Sequence, residues 1–256
     1  MSKVILFLLF GFITVQAQQV KPEIVKDSIP QDTVSHTIKF HYKQLIIPAT
    51  LLGYGVIGIE SDQLKFFNSE IREEVGEHID EKITIDDFSQ YAPLAAVYAL
   101  NLAGIKGKHN LKDRTIIAST SYIIMASTVL ALKSISKIER PDGSSFNSFP
   151  SGHTATAFAG AEMLWQEYKD KSPWYGIAGY AVASGTGIFR IVNNRHWLTD
   201  VAAGAGIGIL STKVAYWIHP WVKSHLFGND KNKKTATVMV PFYNGKETGI
   251  GFLKTF

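Results

Sequence analysis

Residues 198–218 read LTDVAAGAGIGILSTKVAYWI. The stretch is apolar, and Ala202, Ala203, Gly204, Ala205, Gly206 and Gly208 leave its first half almost without side-chain bulk. No useful period-two alternation runs through it, so its length and composition favour a helix. A small-residue run of this kind lets helix backbones approach closely, in membranes especially. Asp200 sits near its start, and His196 stands four residues ahead of that carboxylate.

Working outward, similar apolar stretches occupy 45–59, 91–105, 115–132, 154–165 and 173–189. Together they predict an all-α fold, a membrane-embedded bundle of about five to six helices. Most are shorter than the ~20 apolar residues of a comfortable span. The composition sits between classes. The 256 residues are 46% hydrophobic and 19% charged, with a mean hydropathy of +0.05. A polytopic membrane protein should score well above zero, and a secreted soluble enzyme below it. The net charge of +4 comes without a basic stripe interleaved with aromatics, so nucleic acid is not a partner. The absence of cysteine excludes disulfides, thiol catalysis and cysteine-ligated metal.

The remaining segments set the domain plan. Residues 1–17, MSKVILFLLFGFITVQA, have the charged start, short apolar run and small-residue end of a secretory signal peptide. Residues 18–43 form a polar arm, 44–220 the helical domain, and 221–256 a basic linker with a small C-terminal β-hairpin. The hairpin rests on alternation at Val238, Val240 and Phe242, the turn pair Asn244-Gly245, and alternation again at Ile250 and Phe252. Residues 60–87 are acidic, and Leu64, Phe67, Ile71 and Val75 recur at helical spacing, which reads as one amphipathic helix on a surface.

Three segments carry chemistry. Lys133, Lys137 and Arg140 fall at i, i+4 and i+7, on one face of a helix that Pro141 stops. Pro150-Ser151-Gly152-His153 precedes a helix. There Ser151 serves as N-cap, Gly152 admits a ligand to the backbone, and the free N–H groups make an anion seat. Arg190 stands near His196 and Asp200, whose i, i+4 spacing lets the carboxylate orient the imidazole. Taken singly, each segment has an ordinary structural reading. Taken together, cations for phosphate oxygens, a braced histidine as nucleophile and a second histidine as acid describe phosphoryl transfer. No acidic cluster for metal accompanies them in the sequence, so a metal-free reaction without cofactor is expected.

The spacing Lys133-x6-Arg140-Pro141, Pro150-Ser151-Gly152-His153 and Arg190-x5-His196-x3-Asp200 resembles the type 2 phosphatidic acid phosphatase superfamily. That superfamily also holds class A acid phosphatases and vanadium haloperoxidases. The resemblance implies that His196 attacks phosphorus, Asp200 orients it, and His153 protonates the leaving oxygen. Lys133, Arg140, Ser151, Gly152 and Arg190 would bind the phosphate. The implied activity is removal of a terminal phosphate from a lipid, whether phosphatidate-type, polyprenyl diphosphate or lipid A. A soluble periplasmic acid phosphatase is the main alternative, and a haloperoxidase is disfavoured by the short chain. Two departures from the family pattern stand out. Phe189 replaces the usual serine before Arg190, and only eight residues separate Pro141 from Pro150, which points to an open site.

Charge bias gives an orientation. Lys106, Lys108, Lys112 and Arg114 place loop 106–114 in the cytoplasm. The acidic 60–87 segment and all three motifs then face the periplasm from the inner membrane. With a cleaved leader, stretch 45–59 has the wrong parity for a span. It is expected to be interfacial or re-entrant, unless the leader is not cleaved as read.

Overall fold

The computed structural model describes residues 41–78 and 84–226, and the backbone of 237–243 and 248–254. The expected leader and most of the polar arm lie outside these residues. After a 3-10 turn at Tyr42–Leu45 come eight α-helices: α1 Ile46–Glu60, α2 Asp62–His78, α3 Ile85–Ser89, α4 Ala92–Leu102, α5 Leu111–Ser136, α6 Gly152–Tyr168, α7 Pro173–Val192 and α8 Leu198–Leu226. The helix count exceeds the expected five to six because the acidic 60–87 segment, read as one helix apart from the apolar stretches, contributes two. It yields α2 and the five-residue α3, with 79–83 outside the described residues.

Helix α8 packs along α1, α5 and α6, and α6 also packs along α7 and α4. The small residues of α8 explain this. A Cβ on Gly204 would lie 2.5 Å from the Ser151 carbonyl oxygen. One on Gly208 would run into the backbone of Ala155 and Ala159. These glycines therefore let α8 lie against the start of α6, and that contact sets the distance between Asp200 and the Ser151 cap. Away from the site, Val97, Ile117, Met163, Leu164, Tyr168 and Tyr216 form the main apolar core.

Three helical segments are long and apolar enough to cross a membrane: Tyr42–Glu60, Leu111–Ser136 and Leu198–Leu226. The first bears on the expectation that 45–59 is interfacial or re-entrant. With the 3-10 turn it reaches 19 residues, so length does not force it to be re-entrant. Pro48 falls in its first turn, where a missing N–H costs nothing. Loop 106–110 is also less solvated than its charges suggest. Arg114 is fully buried, its Nε 3.4 Å from Glu167, while His109 Nδ1 is 2.7 Å from the same carboxylate.

Candidate active site

The site lies where the C-terminal end of α5, the start of α6, the end of α7 and the start of α8 converge. Local sequence explains each placement. Ser151 is buried and caps α6, its Oγ accepting from the Thr154 N–H. Its own N–H donates to the Asp200 carbonyl at 3.0 Å, which locks the cap of α6 to the first turn of α8. Arg190 lies in the last turn of α7, and the chain then reverses through Asn193 and Asn194, the latter at φ 54°. The Arg190 carbonyl accepts from the N–H groups of Arg195 and His196, so Arg190 and His196 share one turn.

Two sequence readings are corrected. Helix α5 ends at Ser136, and Lys137 takes a left-handed conformation at φ 47°. Lys133, Lys137 and Arg140 therefore do not share a helix face, and Pro141 is not what stops the helix. Lys133 and Arg140 meet instead through loop 137–151. Lys133 Nζ donates to the carbonyls of Asn147 and Ser148, and Arg140 Nε donates to Asn147 Oδ1 at 2.9 Å. Likewise His196 precedes α8 rather than lying on it, so the i, i+4 spacing does not act as a helix face.

The histidine and carboxylate nonetheless meet. His196 Nδ1 is 3.5 Å from Asp200 Oδ2, and both residues are buried. Asp200 Oδ2 also accepts from Ser148 Oγ at 2.5 Å and from the Trp197 N–H at 2.9 Å. Ser148 is itself fully buried, with Oγ 3.5 Å from His196 Nδ1. One side of the imidazole is thus occupied, which leaves Nε2 on the opposite side of the ring. Burial pushes the His196 pKa down to about 4, with Asp200 opposing the shift and Lys133 and Arg190 assisting it. At neutral pH the ring is uncharged and its lone pair is available.

Around it gathers positive charge. Burial, then the neighbouring Arg190 and Arg195, push the Arg140 pKa down, with Asp142 and Asp200 opposing the shift. Arg190 is buried, and its Nε–H has no protein partner. That donor is free for a phosphate oxygen. A cavity of about 430 Å³ opens beside Asp200, lined by Lys65, Asn68, Ser69, Glu139, Trp197 and Thr199 among others.

Sequence reading missed two acidic residues and a serine. Asp86 on α3 is 1% exposed and accepts from Arg190 Nη1 at 2.5 Å and from Asn193 Nδ2 at 3.2 Å. Asp87 Oδ1 is 3.0 Å from His153 Nε2. The expectation that no acidic cluster accompanies the motifs is therefore wrong. One ligand atom from each of Asp86, Asp87 and His153 lies within 4.8 Å of the others. These groups are already committed, however, to Arg190, Asn193 and one another, and a metal ion there would have to compete with a guanidinium. The only sequence signal was the adjacent Asp86-Asp87 pair within an acidic run. Ser148, two residues ahead of Pro150, carried no signal.

Comparison with known proteins agrees with the motif segments. The model of the PAP2 superfamily matches residues 127–224. A lipid A 1-phosphatase of Porphyromonas gingivalis is 47% identical over 135 residues, 52% of this chain and 30% of that protein. The bacitracin transport permease protein BcrC of Bacillus licheniformis is 38% identical over 74 residues, 29% of this chain and 34% of that protein. The chain thus spans about a third of the length of these curated relatives. Among solved structures, Aquifex aeolicus LpxE has a TM-score of 0.46 at 21% identity, covering 58% of this chain and 94% of its own. A transmembrane PAP2-type phosphatidylglycerolphosphate phosphatase from Bacillus subtilis has a TM-score of 0.46 at 18% identity, covering 70% and 98%. The region that matches the PAP2 superfamily, 127–224, holds all three motif segments.

Proposed function

We propose that this protein is a membrane-embedded phosphatase that removes a terminal phosphate from a lipid through a phosphohistidine at His196. The observation that carries this reading is the buried, neutral His196, held by Asp200 and Ser148 on Nδ1 and flanked by Lys133 and Arg190. His196 Nε2 attacks phosphorus, the bond to the leaving oxygen breaks, and His153 gives that oxygen a proton. Water then attacks the phosphohistidine, returns a proton to His153 and releases phosphate. Lys133, Arg140, Arg190 and the Gly152 N–H hold the equatorial oxygens, where charge builds in the transition state; the Ser151 N–H, expected to help, is already given to the Asp200 carbonyl. Phe189 takes no part in this scheme, and the orphan Arg190 Nε–H supplies a donor in its neighbourhood.

Among lipid substrates we take the 1-phosphate of lipid A, supported by the 47% identity to a lipid A 1-phosphatase across the motif region. Three apolar helices favour a membrane enzyme over a soluble acid phosphatase. In this reading the C-terminal end of α5 and the N-terminal end of α8 meet at the periplasmic face of the inner membrane, where the site lies. We also retain the small C-terminal hairpin as a proposal, supported by the antiparallel register that pairs Thr237 with Lys254 and Tyr243 with Thr248.

The test is phosphate release by the detergent-solubilised protein from lipid A, phosphatidate, a polyprenyl diphosphate and a water-soluble phosphomonoester, with and without EDTA. Lipid A turnover that survives EDTA and is lost in folded His196→Ala is expected. Preference for the soluble ester would overturn the lipid reading, and strong EDTA inhibition the metal-free one.

A further inference from the structure

The phosphatase reading gives His153 a role but does not say what decides when it carries its proton. The structure puts Asp87 in contact with it, from outside all three motifs. Asp87 lies on α3, which is pinned from several directions. Asp86 accepts from Arg190 and Asn193, Ser89 Oγ is 2.8 Å from Thr186 Oγ1, and Gln90 Nε2 donates to the Asp87 carbonyl at 2.9 Å. Asp86 is thus the buried anchor of this short helix, and Asp87 is the arm held over the site.

The Asp87 side chain is 56% exposed and that of His153 30%. An ion pair this exposed contributes roughly 0–1 kcal/mol to stability. Stability therefore gives little reason for the pairing, while its effect on the imidazole is definite. A carboxylate can only accept, so the 3.0 Å contact keeps a proton on Nε2. The proton that comes and goes is then the one on Nδ1. Burial and Arg190 of α7 push the His153 pKa down, while Asp87 and Asp86 of α3 oppose that shift. The other ionisable groups of the site are Lys133 of α5, Arg140 of the following loop, His196 ahead of α8 and Asp200 on it. Without Asp87, the ring would keep its desolvation and its cationic neighbour but lose its directly bonded anion.

We propose that Asp87 is a positioning residue of the reaction: it fixes His153 with Nε2 protonated and favours the two-proton ring, so that Nδ1 delivers the proton to the leaving oxygen. This rests on the phosphatase reading. As the P–O bond breaks, the Nδ1 proton passes to the leaving oxygen and His153 becomes neutral with its Nε2–H on Asp87. In the second half, Nδ1 takes a proton from the attacking water, and the two-proton ring is restored.

The experiment uses the full-length protein in detergent micelles and reads two quantities. The first is the pH profile of kcat/KM for Asp87→Asn, Asp87→Ala and Asp87→Glu. The second is the His153 ring titration by NMR on histidine-labelled protein. Removing a carboxylate in contact should lower the His153 pKa by about one unit, so the basic limb moves down by that amount and turnover above it falls about tenfold. Asp87→Glu should recover most of the wild-type profile. A basic limb unmoved in Asp87→Asn overturns the proposal, and so does an unmoved His153 titration. Loss of all phosphate release in the wild type would instead overturn the phosphatase reading, since the ring titration does not depend on turnover.

Discussion

Asp86 Oδ2 and Arg190 Nη1 meet at 2.5 Å although 104 residues separate them, and the carboxylate is almost completely shielded from water. Arg190 ends α7 as a motif cation, whereas Asp86 comes from a helix the motifs do not mention. The pair leaves Arg190 Nε–H unclaimed by the protein while fixing the plane of the guanidinium. A planar fork oriented in this way presents its remaining donors to a tetrahedral anion at little entropic cost.

Asp86→Ala should therefore damage both folding and turnover. Removing one partner of a buried pair leaves an uncompensated charge, which costs about 3–5 kcal/mol. Against activity, the expected loss in kcat/KM is at least about tenfold, carried by a weaker hold on phosphate. In a double-mutant cycle with Arg190→Ala the losses should be strongly non-additive, since each change removes the same interaction. Additive losses would mean that Asp86 acts elsewhere.

Ser148→Ala tests the support of the nucleophile. The hydroxyl donates to Asp200 Oδ2 at 2.5 Å and lies 3.5 Å from His196 Nδ1, bridging a histidine–carboxylate contact that is itself long. Its loss should let the imidazole reorient. We expect kcat to fall by about 10–100-fold, the range typical of lost supporting hydrogen bonds at such sites, with KM little changed. A fall in KM alone, or none in kcat, would remove Ser148 from the machinery.

These two residues also mark what the sequence could and could not reveal. The helical character of α4 to α8 was legible from apolar stretches without strand alternation, and so was the Ser151 cap of α6. Asp86, Asp87 and Ser148 were not legible, for a physical reason. Their partners lie 104, 66 and 52 residues away, and none sits on a periodic pattern that would announce it. The acidic run 60–87 looked like a single solvated face because charge content carries no information about tertiary pairing. The i, i+4 reading of His196 and Asp200 found the right pair for the wrong reason. The contact forms across a helix start, in the way of a capping residue, not along a helix side.

Gly208→Val probes the packing that positions α8. A Cβ at this glycine already collides with the Ala155 and Ala159 backbone of α6, and backbone cannot rotate away as a side chain can. The helices must separate, at a cost of about 1–3 kcal/mol for overpacking a close contact. The thermal midpoint in detergent should drop, and turnover should fall with it. Gly185, with open space around its missing Cβ, is the matched control, and Gly185→Ala should leave the midpoint unchanged.

The acid limb of the pH profile should report His196. Its pKa is held down to about 4, principally by burial, so the nucleophile is neutral above that pH and protonates below it. A solvent-exposed histidine would lose half its nucleophilic form near pH 6.5. For this protein, on the proposed reading, kcat/KM should instead hold through that pH and decline only as pH falls toward about 4. Asp200→Asn separates cause from coincidence. Asp200 opposes the downward shift, so replacing its charge should move the acid limb to still lower pH even as kcat drops. A limb that moves upward in Asp200→Asn, or one near pH 6.5 in the wild type, would mean that a group other than the buried His196 governs the acid side of the reaction.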